Sequence, residues 1–140
     1  MIQQIDHIGI AVQSLEVAAR LYEEVLGLTC EGHDHVEEQG VKVAFYRCGE
    51  VMIELLEPTR PDSPVGKFLA TRGEGIHHIA LKTDDLVAER EHAKTSGLRL
   101  LSDKPLDGAH GKLISFIHPK DTLGVLLELT QRKQAPHHEG

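Results

Sequence analysis

The stretch Gly75-Ile76-His77-His78-Ile79-Ala80-Leu81-Lys82-Thr83-Asp84-Asp85 decides how the rest of the chain is read. Ile76–Lys82 is apolar or β-forming and predicts a strand, and Asp84-Asp85 supplies the cap of a following helix. Side chains alternate along a strand, so His78, Ala80 and Lys82 share one face while Ile79, Leu81 and Thr83 share the other. On that alternation His77 points away from His78 and is structural. A lone strand histidine is more often an ordinary polar residue than a ligand. What gives His78 weight is a second copy of its surroundings at the start of the chain.

In Ile5–Val12, Ile8, Ile10 and Val12 form one bulky face, while His7 shares the other with the small Gly9 and Ala11. Ser14 caps a helix expected over Leu15–Leu26, with Leu15, Ala18, Ala19, Tyr22, Val25 and Leu26 as its apolar stripe and Gly27 closing it. Glu31–Gln39 reads as a polar loop carrying solvated His33 and His35. Strands follow at Val41–Arg47 and Val51–Glu57, joined by the turn Cys48-Gly49-Glu50 and ended by Pro58. The second strand sets Glu54 between Met52 and Leu56 on one face. Pro64–Thr71 predicts a short linker helix begun by Ser63-Pro64.

The second half repeats this order. Ile76–Lys82 leads to a helix over Leu86–Ser96 closed by Gly97, then to strands at Lys112–His118 and Val125–Thr130 joined through Pro119–Gly124. His7 and His78 lie 71 residues apart, as do Phe45 and Phe116, while Gly27 and Gly97 lie 70 apart and Glu54 and Glu128 lie 74 apart. The simplest account is a duplicated strand–helix–strand–strand–strand unit in an α+β fold. The expected organisation is one domain over residues 1–132, with module one at about 1–58, a linker helix at 63–73 and module two at about 75–132. Residues 133–140, including His137 and His138, read as a polar tail.

Each copy thus offers one histidine on its first strand and one glutamate on its last. A glutamate inside Met-Ile-Glu54-Leu-Leu, and another inside Leu-Leu-Glu128-Leu, is costly to bury without a partner. An exposed or ion-paired glutamate is an ordinary finding once; two in register, each with a matching histidine, ask for that coincidence twice. If the halves close on one another, His7, Glu54, His78 and Glu128 converge. Two imidazoles and two carboxylates suit a divalent transition metal with open positions for substrate oxygens.

Composition narrows the partners. The chain has 140 residues, 40% hydrophobic and 26% charged, which is ordinary for a soluble protein. The formal net charge of −7, without a basic block, disfavours nucleic acid. The sequence offers no apolar run long enough for a membrane span, and its first residues enter a strand rather than a signal peptide. Cys30 and Cys48 form no CxxC pair and are expected as free thiols in the cytoplasm.

The segments Asp6-His7-Ile-Gly-Ile-Ala-Val, Gly75-Ile-His77-His78-Ile-Ala, His118-Pro119-Lys120 and Gly124-Val-Leu-Leu-Glu128-Leu-Thr130-Gln131 are similar to those of the vicinal oxygen chelate superfamily. Within it they resemble the methylmalonyl-CoA epimerases, and the likeness runs from Ile5 to about Arg132. The resemblance implies two βαβββ modules in tandem, forming a curved mixed β-sheet around a metal site. It implies His7, His78 and Glu128 as metal ligands, with Glu54 matching a fourth position. The metal it implies is divalent, cobalt first, with manganese, nickel and zinc as the other candidates. It further implies an acyl-CoA substrate, inversion at the carbon between thioester and carboxylate, and a homodimer.

Glu128 is then the familiar acid or base, although a carboxylate bound to a dication is a weakened base. Some relatives carry a second glutamate where this chain has Val43, so Glu54 is the other candidate here. Lys112 and Lys120 are candidates for the coenzyme A phosphates, and His110 lies in a loop near the expected mouth. The alternatives are a glyoxalase I-like lyase acting on a glutathione hemithioacetal, which uses the same kinds of ligand, and a metal-free small-molecule-binding module, which would need none of the four. Ring-cleaving dioxygenases of this fold use one glutamate, so Glu54 counts against them.

Overall fold

A computed structural model describes residues 1–133; the tail expected beyond it, with His137 and His138, lies outside the described residues. In chain order the elements are β1 (Ile2–Ala11), α1 (Leu15–Ala19, continued as a wider π-helical turn over Arg20–Val25), β2 (Cys30–Val36), β3 (Val41–Cys48), β4 (Val51–Pro58), α2 (Pro64–Arg72), β5 (Gly75–Thr83), α3 (Leu86–Thr95), β6 (Leu106–Asp107), β7 (Lys112–Ile117) and β8 (Leu127–Arg132). All eight strands join one curled mixed sheet in the order β2-β3-β4-β1-β5-β8-β7-β6. Outward from the central β1–β5 seam, each half runs first strand, last strand, third, second. The fold is therefore α+β, built from two βαβββ modules.

The registers repeat with the topology. β1 pairs in parallel with β4 so that Gly9 faces Glu54; β5 pairs in parallel with β8 so that Ala80 faces Glu128. Gly9 and Ala80 each lie two residues after a histidine, so each glutamate shares its face with the histidine of its own half. Phe45 pairs with Glu54, and Phe116 with Glu128. Antiparallel pairing of β1 with β5 brings the two faces together.

The core lies on both sides of this sheet. On the concave side Ala11, Val41, Val43, Phe45 and Leu56 pack with Val65 and Leu69 of α2. On the convex side Val12, Ala44, Tyr46 and Leu55 pack against Leu15, Ala18 and Tyr22 of α1, and Leu86, Ile117 and Leu129 form a third cluster near α3. Phe45 and Tyr46 are consecutive, point to opposite faces and are both fully buried. Each such side chain contributes about 1.5–3 kcal/mol through burial. Ser63 caps α2 through Gly66 N–H and Asp85 caps α3 through Ala88 N–H, as the sequence predicts.

Two local expectations need correction. Most of the expected loop Glu31–Gln39 is strand: β2 covers Cys30–Val36, and Glu37–Gln39 forms a 3-10 turn. β2 lies at the sheet edge with only β3 beside it and buries no side chain fully, so it lacks the apolar alternation of an inner strand. The stripe of α1 also breaks. The π-helical turn places the Leu26 N–H on the Leu21 carbonyl, which shifts the helical phase and leaves Val25 73% and Leu26 56% exposed.

Candidate metal centre

His7, Glu54, His78 and Glu128 are each buried, and all four line a cavity of about 240 Å³ on the concave side. Strand β1 carries His7 and β5 carries His78, and their Nε2 atoms face each other at 3.0 Å. Glu128 on β8 reaches both: Oε2 lies 3.3 Å from His7 Nε2, and Oε1 lies 3.4 Å from His78 Nε2. These three residues offer ligand atoms close enough to hold one ion. Glu54 on β4 approaches from the other edge of His7, with Oε2 3.2 Å from Nδ1. The structure thus gathers three of the expected ligands at Nε2 and sets the fourth beside Nδ1.

Gly9 makes the approach possible. A Cβ added at Gly9 would clash with the Cε1 edge of the His78 ring, so a larger residue there requires that imidazole to shift. Apolar side chains close the remaining walls, among them Val43, Leu56, Ile114, Phe116 and Leu126. Val43 stands where some relatives were expected to carry a glutamate, and it packs in the concave core.

Charge in the cavity is dense. Lys112 on β7 is buried, with Nζ 2.7 Å from Asp6 Oδ2 and 3.7 Å from Glu54 Oε2. Asp6 Oδ2 also accepts from His7 Nδ1 at 2.7 Å. Burial would raise Asp6, but the hydrogen bonds from His7 and Lys112 hold it well below the usual carboxylate range. Burial would lower His7, but Glu128, Asp6 and Glu54 outweigh it and push it up to about 10. Burial, then the neighbouring His7 and His77, push His78 well below the usual imidazole range. Burial raises Glu54 above its ordinary value, against the opposing pull of His7 and Lys112.

This donor set fits a divalent metal. Glu54 Oε2 and Glu128 Oε2 are buried without a hydrogen-bond partner, an arrangement that costs about 1–3 kcal/mol per group or more when charged. The Nε2 atoms of His7 and His78 share one hydrogen bond at 3.0 Å with a carboxylate beside both, and the three residues together offer ligand atoms that one ion could share.

Of the remaining expectations, Lys112 lies inside the cavity and is engaged by Asp6, while Lys120 is exposed in the turn Pro119–Asp121 outside it. His110 forms part of a turn at the cavity mouth, with φ 57, its ring stacked 3.7 Å from that of Phe45 and its N–H donating to Asp34. His33 and His35 are exposed on β2. His77 does not point away from His78: their Nδ1 atoms lie 2.9 Å apart. The pairing of β1 with β5 passes from Gly9–His78 to Ile10–Ile76, so His77 is the extra residue of a β-bulge and escapes the alternation. Asp6 is the other residue in contact with the cluster that the sequence reading did not single out. The signal available for both was positional, since each directly precedes a paired histidine.

Comparison with known proteins was consistent with this geometry. Residues 6–116 match the family model described as the glyoxalase/bleomycin resistance protein/dioxygenase superfamily. The chain is 45% identical over 136 residues to the uncharacterized protein YqjC of Bacillus subtilis, covering 97% of each. It is 41% identical over 133 residues to the ethylmalonyl-CoA/methylmalonyl-CoA epimerase of Cereibacter sphaeroides, covering 94% of this chain and 99% of that protein. A solved Streptomyces coelicolor methylmalonyl-CoA epimerase variant, in complex with 2-nitronate-propionyl-CoA, superposes with a TM-score of 0.92 at 41% identity, covering 97% of this chain and 100% of the other.

Proposed function

The chain belongs to the glyoxalase/bleomycin resistance protein/dioxygenase superfamily, and on that premise we propose that it interconverts the (R) and (S) forms of methylmalonyl-CoA. The observation that carries this reading is the buried, duplicated His/Glu cluster at the floor of the cavity. The likeness to methylmalonyl-CoA epimerases over almost the whole chain supplies the substrate class.

A divalent ion held by His7, His78 and Glu128, cobalt first, would supply Lewis-acid stabilisation of the negative charge that develops on the substrate when its α-proton leaves. The chain's own residues do the rest. Glu128 presents two carboxylate oxygens at the site, so one can bind while the other takes the proton. Glu54, whose proton is held more firmly through burial, suits proton return from the other side. Glu54, now beside Nδ1 of His7, would be the fourth residue to hold the ion. Lys112 is a cation for the substrate carboxylate, supported by its burial beside Asp6 and Glu54. Lys120, exposed outside the cavity, serves the coenzyme phosphates. Apolar walls exclude water while the proton is away from carbon.

The cavity suits a small acyl group, with the bulk of the coenzyme outside it. A homodimer in the cytoplasm completes the reading. It is supported by the exposed apolar side chains of Val17, Leu21 and Val25 on α1 and its π-helical turn, and by the free thiols of Cys30 and Cys48. Among the described residues no helix is long and apolar enough to cross a membrane.

The test is proton exchange at the α-carbon of methylmalonyl-CoA in heavy water, run beside the glyoxalase reaction on the cobalt-loaded protein. Exchange with the first substrate and no turnover of the second is expected. No exchange with metal bound rejects the assignment.

A further inference from the structure

Both central strands break their register at equivalent places. β1 passes from the pair Ile5–Leu81 to the pair His7–Ala80, so Asp6 is an extra residue without a partner across the seam. β5 does the same at His77, between the pairs Gly9–His78 and Ile10–Ile76. In each half, therefore, a β-bulge falls on the residue directly before the site histidine. A bulge turns a side chain out of the two-residue alternation, and here it turns each onto the ligand's own face. Asp6 Oδ2 meets His7 Nδ1 at 2.7 Å, and His77 Nδ1 meets His78 Nδ1 at 2.9 Å.

The chemistry of these contacts is directional. A neutral imidazole carries its proton on one nitrogen and offers the other as a ligand. An acceptor at Nδ1 draws the proton there and leaves Nε2 with its lone pair, at the atom that faces Glu128 in both halves. Asp6 is only an acceptor when ionised, and Lys112 Nζ holds the same oxygen in place at 2.7 Å. His77 is held through an edge-on contact with Phe68, ring centroids 5.2 Å apart. The same ladder shifts a third time, between Ile2 and Gln4 near the start of β1 and away from the site, so a break in register alone says little. What singles out the other two is that they fall at duplicated positions and that each ends in a hydrogen bond to the same ring atom of a site histidine.

We propose that Asp6 and His77 are a matched pair of positioning residues, each delivered by a β-bulge, that commit the Nε2 atoms of His7 and His78 to the metal. The inference rests on the metal reading of the site. It predicts that the pair acts on metal affinity and on ring tautomer, apart from any contact with substrate.

The test uses the full chain with His77→Phe, which keeps an aromatic ring and removes the acceptor, and His77→Asn, whose amide oxygen can stand near the lost nitrogen. Asp6→Asn tests the other half, keeping an oxygen but not the charge. Cobalt affinity is measured by calorimetry, and the tautomer of His78 by nitrogen NMR of the metal-free protein. His77→Phe is expected to lose about 10–100-fold in cobalt affinity and to shift the His78 proton from Nδ1 toward a mixture, while His77→Asn recovers most of both. Asp6→Asn is expected to weaken cobalt binding to a similar degree. Thermal unfolding of each variant separates these effects from loss of fold, and where His77→Phe fails to fold, the wild-type tautomer decides: a proton on Nε2 of His78 overturns the proposal. Unchanged affinity and tautomer in a folded His77→Phe also overturn it while leaving the metal reading intact. Absence of cobalt binding by the wild-type chain removes the metal reading itself.

Discussion

Glu128 occupies a demanding position: both carboxylate oxygens face imidazole nitrogens, and Oε2 has no hydrogen-bond donor. A carboxylate shared between an ion and a proton must keep one oxygen free. Glu128→Gln is therefore expected to slow α-proton exchange by about 10²–10⁴-fold and to weaken cobalt binding much less. Equal losses, read by exchange NMR and by calorimetry on one preparation, would restrict Glu128 to holding the metal. The convergence of His7, Glu54, His78 and Glu128 was legible from spacing because a strand puts every second side chain on one face. Lys112 was legible as a candidate for the coenzyme phosphates, but its place beside Asp6 was not, because the two are 106 positions apart.

At the scale of elements, the close crossing of β1 and β5 sets the geometry of the site. Gly9→Ala places a methyl group against the Cε1 edge of the His78 ring and forces the ring to move. The chain is expected to keep its fold and lose about tenfold or more in cobalt affinity, the scale of disturbed ligand support. Normal affinity in that variant would show that the seam can spread at no cost. A second element-scale contact pins the turn Pro119–Asp121: Asp121 accepts from the backbone N–H of Arg99 at 2.9 Å and from its Nε and Nη2 at 3.0 Å each. These bonds pull Asp121 from 3.8 to about 2. A carboxylate lowered in this way contributes stability that is complete above pH 3.8 and is lost as pH falls through 2. Asp121→Asn should lack that loss, so the gap in melting temperature between it and the wild type should shrink over this window. The gap should be small and salt-dependent, because the pair is exposed.

For the whole molecule, the two halves share what neither completes. Module one brings His7 and Glu54, module two brings His78 and Glu128, and the β1–β5 seam closes the cavity between them. Fragments 1–73 and 74–140 should each lack a cooperative unfolding transition, since each exposes its half of the concave core. Mixed and refolded together, they should regain the transition and cobalt binding. A fragment that melts cooperatively alone, followed by circular dichroism, would show that the seam is not needed for folding.

The sequence by itself determined the duplication, the class of fold, the faces of the inner strands and the His/Glu set, because those rest on local periodicity repeated at a constant distance. It did not reveal β2, whose edge position removes the apolar alternation that marks a strand, or the π-helical turn that rephases α1. Only the tertiary structure decided that His77 meets His78 at Nδ1, that Asp6 meets His7 at Nδ1, and that two Nε2 atoms meet beside Glu128. Those facts depend on the register between β1 and β5. One extra residue in such a ladder reverses a side chain's face, and pairing across that many residues sets where the extra one falls.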